Sequence, residues 1–388
     1  MNRIYLKRGK EESLLRFHPW IFSGAIQRID EGIGDGDIVR VMTANGQFIA
    51  IGHYQPGSIA VRVLSFDDVP IDDNFWHQCL TQALAARQAI GLVDNPQTNA
   101  YRLVHGEGDM LPGLIIDIYG KTAVMQAHSV GMHRCRHQIA NMLTKVMQGR
   151  INHIFYKSET TLPFMEPENG FIVGGSDENT ALENGLHFYV DWQNGQKTGF
   201  FVDQRDNRKL LEHYARGRRV LNMFCYTGGF SFYAMRGGAT SVHSVDSSVK
   251  AIELTRRNVD LNFPHDTRHE AFCEDAFKFL EKGGSYDLII LDPPAFAKHR
   301  AALHNALKGY TRLNAKAFEQ IKPGGILFTF SCSQVVTKEH FRNAVFTAAA
   351  QARRKVRILH QLHQPADHPI NIFHPEGEYL KGLVLYVE

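Results

Sequence analysis

A chain of 388 residues is too long for one ordinary core and points to two or three domains. With 44% hydrophobic and 21% charged residues and no biased tract, disordered and fibrous classes are excluded, and a net charge of +3 commits the chain to no partner by itself. Five scattered cysteines exclude a disulfide framework and point to a reducing compartment. No run approaches the ~20 apolar residues that span a bilayer, and "MNRIYLKRGKEES" has no apolar secretory core. A cytoplasmic protein is expected.

Residues 1–72 read as a small β-barrel-like module. "IYL", "DIVRVMT", "FIAIGHY" and "IAVRVLSF" alternate with turn-forming stretches, and Asn45-Gly46 is a hairpin signal. Its first 28 residues carry Arg3, Lys7, Arg8, Lys10, Arg16 and Arg28 against Glu11 and Glu12, a basic surface suited to phosphates or simply solvated. Residues 73–188 read as a central α+β module. A helix over 73–91 puts Phe75, Cys79, Leu80, Ala83 and Leu84 on one stripe, and a second is expected from Met132 to Met147. No catalytic constellation stands out there.

From about Gln193 the rhythm becomes strand–helix–strand, so residues 189–388 are expected to form an α/β domain with a parallel sheet. Strands over 218–224, 241–246, 267–273, 286–292 and 325–331 are each followed by a helix. The last two strands, "KVRILHQLHQ" and "GLVLYVE", have no helix between them and are expected to pair as a hairpin, adding one antiparallel strand.

Ligands of such sheets bind beyond the carboxyl ends of the strands. The first strand ends in "NMFCYTGGFS", where Gly228 and Gly229 are expected to let the backbone approach a ligand. Asp246 ends the second strand, where a carboxylate accepts ribose hydroxyls, and Asp275 follows the third, as an adenine contact, a helix N-cap, or both. The glycine spacing of dinucleotide folds is missing, which favours a nucleoside without a pyrophosphate, and S-adenosylmethionine fits. Its expected contacts are Asn222, Phe224, Tyr226, Thr227 and Gly228, then Asp246 and Ser247, Asp275 and Ala276, and finally Asp292 and Pro293.

The fourth strand ends in "LDPPAF", where Pro293, Pro294 and Phe296 form a stiff lip suited to holding a target base. The fifth ends in "FTFSCSQ", placing Cys332 beside Asp292. Most cysteines are small apolar residues. A thiolate here has a chemical use: added to C6 of cytosine, it makes C5 nucleophilic enough to take a methyl group. Asp292, half-buried with a raised pKa, would protonate N3, and the hydroxyls of Ser331 and Ser333 would support the thiolate. Two metal-like spacings, His133/Cys135/His137 and His265/His269/Cys273, do not converge on one helix or strand face, and no metal is expected.

These motifs, with "LLRFHPWIFSGAI" (14–26), "YRLVHGEGDMLPGLIIDIYG" (101–120), "QKTGFFVDQRDNR" (196–208) and "ADHP…PEGEYLKG" (366–382), make the whole chain resemble the bacterial 23S ribosomal RNA cytosine-C5 methyltransferases of the large subunit methyltransferase I family. The resemblance implies an RNA-binding PUA domain, a central α+β domain and a Rossmann-like class I methyltransferase domain. It implies Cys332 as nucleophile, with RNA contacts at Lys7, Arg8 and Arg16. It implies Gln204 and Arg205 at the methionine carboxylate, a role in which Arg205 competes with pairing to Asp203 or Asp206. Ala295 departs from the lysine usual in the family's lip, and the lip has no second cysteine to assist product release. The partner implied is 23S ribosomal RNA or a large-subunit assembly intermediate; a homodimer stays open. Two other functions compete. A guanine-N2 methyltransferase would need no thiol, so Cys332 argues against it; a non-catalytic assembly factor would have no use for intact acids at 246, 275 and 292.

Overall fold

Alternating apolar residues build six short strands at the start of the chain: β1 (Arg3–Leu6), β2 (Trp20–Phe22), β3 (Ile26–Ile29), β4 (Ile38–Met42), β5 (Phe48–Tyr54) and β6 (Ile59–Ser65), with the single turn α1 (Glu12–Leu15). The computed structural model describes residues 2–162, 168–176 and 178–388. The six strands form one sheet in the order β2-β6-β5-β4-β1-β3, antiparallel except between β1 and β4. Ile4, Leu6, Val39, Val41 and Val61 are fully buried at its centre. The hairpin expected at Asn45-Gly46 joins β4 to β5, with Gly46 at φ +80°. The sequence reading missed β2 and β3; they are three and four residues long, and β3 buries no side chain fully, so it carries no alternation.

The chain continues with α2 (Asp73–Ala89), β7 (Ala100–His105), β8 (Leu114–Tyr119), β9 (Thr122–Ala127), α3 (Val130–Arg134), α4 (Arg136–Met147), β10 (His153–Tyr156), β11 (Gly170–Val173) and β12 (Thr180–Glu183). A second sheet runs β11-β10-β9-β8-β7. Asp72 caps α2 by accepting the Phe75 N–H, and Trp76, Leu80, Ala83 and Leu84 bury the face of α2 that joins the sheet core. The single helix expected from Met132 to Met147 is broken at Cys135, which ends α3 and opens α4. Here α3 presses Gly131 onto His53, where a Cβ would come within 2.2 Å of the ring. These elements, with Val190–Val202 and Ala366–Gly377, make one compact unit.

That unit seals charge inside itself. Arg102 grips Asp117 through two hydrogen bonds of 2.8 Å, and Asp117 also accepts from the Thr198 hydroxyl at 2.6 Å. Arg87 pairs with Asp109 and donates to the Asp367 carbonyl at 2.8 Å, while the Asp367 carboxylate accepts the Arg102 N–H at 3.0 Å. The "ADHP" segment is thereby stitched to the middle of the chain.

The other unit holds Asn184–Tyr189, Asp203–Pro365 and Glu378–Glu388. Its elements are β13 (Leu186–Tyr189), α5 (Arg205–Ala215), β14 (Arg219–Met223), α6 (Gly229–Arg236), β15 (Ser241–Asp246), α7 (Val249–Asn262), β16 (His269–Cys273), α8 (Ala276–Glu281), β17 (Tyr286–Leu291), α9 (Leu303–Gln320), β18 (Ile321–Ser331), α10 (Lys338–Gln351), β19 (Val356–Leu362) and β20 (Lys381–Val387). The sheet order is β16-β15-β14-β17-β18-β20-β19. The first five strands are parallel, as near-continuous apolar strands with both faces covered should be. The one antiparallel strand, β20, slots between β18 and β19; residues 363–380 separate it from β19, so the pair is no tight hairpin. Strand order reverses between β14 and β17, which places a ligand site at their carboxyl ends.

Candidate active site

Each site residue stands at the end of a strand or the start of a helix. After β14 the chain enters a tight loop in which Phe224, Tyr226 and Gly228 take left-handed conformations (φ +58°, +48° and +87°). Two of the three are not glycine, a backbone cost of the kind found at ligand clamps. Both glycines are also required by packing. A Cβ on Gly228 would come within 2.6 Å of Phe232 and 2.8 Å of Thr255, and one on Gly229 within 3.1 Å of Arg208. The Tyr226 N–H donates to Asp246 Oδ2 at 3.0 Å, and the Ser248 N–H to Oδ1 at 2.9 Å. The Asp246 carboxylate is therefore fixed in direction, and each oxygen keeps a lone pair for a further donor such as a ribose hydroxyl. Ser247 beside it is exposed.

Asp275 caps α8. Its Oδ1 accepts the N–H groups of Phe277 and Lys278 at 3.0 and 3.1 Å, while Oδ2 takes no hydrogen bond among the described residues. The neighbouring Ala276 is buried, as is Thr227. Asn222 is only 1% exposed and donates to Ser231, which joins Ser244 and His269 in a buried polar chain. It lies under the loop and presents no surface to a ligand.

At the fourth strand's end Asp292 is half-buried, and its Oδ2 accepts the Gln204 amide at 3.0 Å. Gln204 in turn accepts from Asn207 at 2.7 Å. Its amide thus orients Asp292 and keeps one proton for a ligand, a narrower role than the carboxylate clamp expected of it. Arg205 is buried and reaches Asp206 at 3.3 Å, the structural pairing weighed against a cofactor role. In the lip, Pro293 is buried and Pro294 exposed. Phe296 lies against Tyr310 of α9, ring centroids 4.6 Å apart, with Gly309 close beneath it. One side of that ring props the lip.

Cys332 is half-buried just beyond β18, which runs beside β17 with Leu291 opposite Thr329. Ser331 and Ser333 do not attend the thiol as expected. Ser331 donates to the Tyr310 hydroxyl at 2.9 Å, and Ser333 Oγ accepts the Ala297 N–H at 3.3 Å and lies 3.4 Å from the same phenol. Together they tie the lip to the end of β18. Burial raises the Tyr310 pKa, against the pull of these two hydroxyls.

The residue that sequence reasoning missed is Lys381. It opens β20 directly opposite Ser331, is 5% exposed, and donates from Nζ to the Ser333 carbonyl at 2.6 Å. Burial lowers its pKa to about 8, with the charge of Cys332 acting in the opposite direction. Its signal was a lysine at the head of an otherwise apolar strand. Cys225 is buried and its thiol is pushed far up by burial, and burial lifts Cys79 to about 11.

In the first unit Arg8 and Arg16 are exposed, and Lys7 donates to the Gly24 carbonyl at 2.9 Å. Phe17 and Phe22, 48% and 47% exposed, stand close to Arg16 in the sequence; aromatics interleaved with basic residues were their available signal. The sequence's metal-like groups do not assemble: His133 bonds Tyr156, and His269 bonds Ser244. Among the described residues one trio has ligand atoms within 4.8 Å of one another, His18, His374 and Glu376. No helix of the described residues is long and apolar enough to cross a membrane.

Comparison with known proteins agrees with this geometry. A family profile of S-adenosylmethionine-dependent methyltransferases matches residues 169–373, and a PUA-like domain profile matches residues 4–66. Ribosomal RNA large subunit methyltransferase I of Tolumonas auensis is 42% identical over 394 residues, spanning 98% of both chains. Its namesake from Aeromonas hydrophila is 41% identical with the same coverage. A solved structure described as an S-adenosylmethionine-dependent methyltransferase from Streptococcus mutans shares the fold over 100% of both chains, with a TM-score of 0.86 at 22% identity. So does a methyltransferase solved in complex with SAH.

Proposed function

Because the chain belongs to the ribosomal RNA large subunit methyltransferase I family and is an S-adenosylmethionine-dependent methyltransferase, we propose that it methylates C5 of one cytidine in 23S ribosomal RNA through a covalent bond from Cys332 to C6. The observation that carries this reading is that Cys332 and the Asp292-Pro-Pro lip follow the carboxyl ends of two adjacent parallel strands.

The residues present fit the cofactor. Asp246 offers two fixed carboxylate oxygens to the ribose, Asp275 offers Oδ2 to the adenine amino group, and Gln204 retains a proton for the amino-acid end. Bound S-adenosylmethionine supplies an electrophilic methyl carbon. The chain's own residues prepare the base. Pro293, Pro294 and the open side of Phe296 hold an unpaired cytosine drawn out of its stack. Asp292, protonated and oriented by Gln204, donates to N3 and makes the ring accept a nucleophile. Cys332 adds at C6, C5 becomes enamine-like, and after methylation transfer of the C5 proton to a water acting as base expels the thiolate.

The first 72 residues would grip the RNA, with Arg8, Arg16 and Lys7 toward phosphates and Phe17 and Phe22 beneath unpaired bases. Residues 73–188 would form a central α+β domain.

The test uses a 23S fragment carrying 5-fluorocytidine, which has no C5 proton to lose. The wild type with S-adenosylmethionine should form a protein–RNA band stable in denaturant, and Cys332→Ala should not. A wild type that methylates normal RNA but traps no adduct rejects the covalent route. Bisulfite sequencing of ribosomal RNA from a deletion strain names the nucleotide; an unchanged pattern rejects cytosine.

A further inference from the structure

A lysine buried without a carboxylate bonded to it is costly, because its ammonium leaves water for little return. Lys381 is such a residue. It heads β20, a strand that otherwise reads "GLVLYV" and is nearly all buried. Its backbone stands opposite Ser331, and its Nζ reaches the Ser333 carbonyl at 2.6 Å. Its backbone thus pairs with the residue before Cys332, and its ammonium lies on the carbonyl of the residue after it. Its nearest acid, Glu378, is already bound at 2.5 Å by Lys338 at the start of α10. A strand-end carbonyl alone does not call for a cation; an N–H or a water would satisfy it.

We propose that Lys381 is the counter-ion of Cys332, its ammonium fixed on the Ser333 carbonyl so that the cysteine stands as a thiolate before the base arrives. The proposal deepens the covalent route above and rests on it for its purpose. The proton balance is simple. The S–H bond of Cys332 breaks, an N–H bond forms on the Lys381 amine, and the ion pair that results has the same net charge as the neutral pair. When the thiolate electron pair forms the S–C6 bond, the ammonium stays in place. When that bond breaks at product release, the thiolate returns to the same partner. Lys381 touches neither base nor cofactor in this scheme, so it is a positioning residue.

The independent support is electrostatic. Negative charge on Cys332 is the largest influence holding the Lys381 ammonium on against burial. The other titratable groups around the pair are Tyr310 from α9, Lys338, Glu339 and Arg342 from α10, His363 after β19, and Glu378 before β20. Lys338 opposes the Lys381 charge and Glu378 supports it. Those two pair with each other at 2.5 Å, and the Cys332 thiolate is the partner proposed for Lys381.

The test reads thiolate formation without RNA, so it stands apart from the cytosine reading. The full-length protein is alkylated with iodoacetamide from pH 5.5 to 9.5, and peptide mass spectrometry follows Cys332, with exposed Cys273 as internal reference. Lys381→Met should move the Cys332 midpoint upward by about one pH unit and slow its alkylation at pH 7 about tenfold. Cys273 should be unchanged, and Lys381→Arg should restore most of the rate. Circular dichroism and thermal melts verify that both variants fold; if Met does not, Lys381→Gln takes its place. A Cys332 pH profile identical in wild type and Met variant overturns the counter-ion. The outcomes separate cleanly from those above. A shifted profile with no fluorocytidine adduct keeps the ion pair and rejects the covalent route; an adduct formed equally fast by the Met variant keeps the route and rejects the pair.

Discussion

Two regions of this molecule are built from the same side chains to opposite ends. In the first unit Asp109 and Asp117 are 6% and 0% exposed and each is gripped by a guanidinium. In the second, Asp246 and Asp292 are only partly buried and Asp275 is exposed. Asp246 and Asp275 each accept just enough hydrogen bonding to fix their direction while a lone pair stays open. A carboxylate whose every lone pair is answered by the protein holds chain segments together; one that is oriented but incompletely answered is a binding group. Acidity, depth in sequence and strand-end position do not tell them apart, but the count of donors facing each oxygen does.

The contrast breaks most sharply at Cys332. Cys332→Ala should lower turnover by about a thousandfold or more, because it removes the atom proposed to make C5 reactive. Its urea midpoint should stay close to wild type, since a half-buried residue at a strand end leaves little cavity. Comparable loss of activity and stability together would make the cysteine structural.

Asp117→Ala is the mirror experiment. It strands Arg102 in the sealed network, and breaking a buried pair costs about 3–5 kcal/mol. Urea unfolding should report that loss, while the affinity of whatever protein remains folded for S-adenosylhomocysteine stays unchanged. A variant as stable as wild type would show that water already reaches the pair.

Acid should strike the sealed unit from another side. Burial lowers the pKa of both His53 and His128 to about 4, so both are neutral in the fold. Between pH 6.5 and 4 the unfolded chain binds more protons at these positions than the folded one, so stability is present above pH 6.5 and lost as pH falls toward 4. Together they account for a loss on the order of 5 kcal/mol. Thermal melts across that range measure it, and the double variant His53→Gln/His128→Gln should flatten the slope.

How far this contrast was legible in the sequence depends on what carries it. The parallel strands of the second unit announced themselves through unbroken apolar runs, and Asp246, Asp275, Asp292 and Cys332 could be placed because strand ends are countable. The sealed network could not. Arg87 and Asp109 belong to different elements, and a charge on an amphipathic helix reads as solvated until the tertiary fold covers it. Lys381 escaped for a similar reason: its meaning depends on the register of β20 against β18, which no local pattern encodes. Ser331 and Ser333 were assigned to the thiol by adjacency, whereas their hydroxyls turn to Tyr310, a helix away.

Asp246→Ala should cost less than either break above. Removing a charged acceptor for two ribose hydroxyls weakens S-adenosylhomocysteine binding by about 10- to 100-fold, measured by calorimetry. The backbone donors of Tyr226 and Ser248 then lose their partner, so the left-handed loop should exchange its amides faster. Unchanged affinity would remove Asp246 from the cofactor site.

The smallest effect separates two jobs within one carboxylate. Oδ1 of Asp275 caps α8, and Oδ2 is the atom proposed above for the adenine amino group. Serine caps a helix about as well as aspartate but is too short to present a second acceptor outward. Asp275→Ser should therefore leave the melting temperature nearly unchanged while weakening S-adenosylhomocysteine binding about fivefold. Asp275→Ala loses both, adding about 1 kcal/mol of instability from the missing cap. If serine restores affinity as well as stability, Oδ2 contributes nothing to the ligand, and Asp275 belongs with the sealed acids of the first unit rather than the open ones of the second.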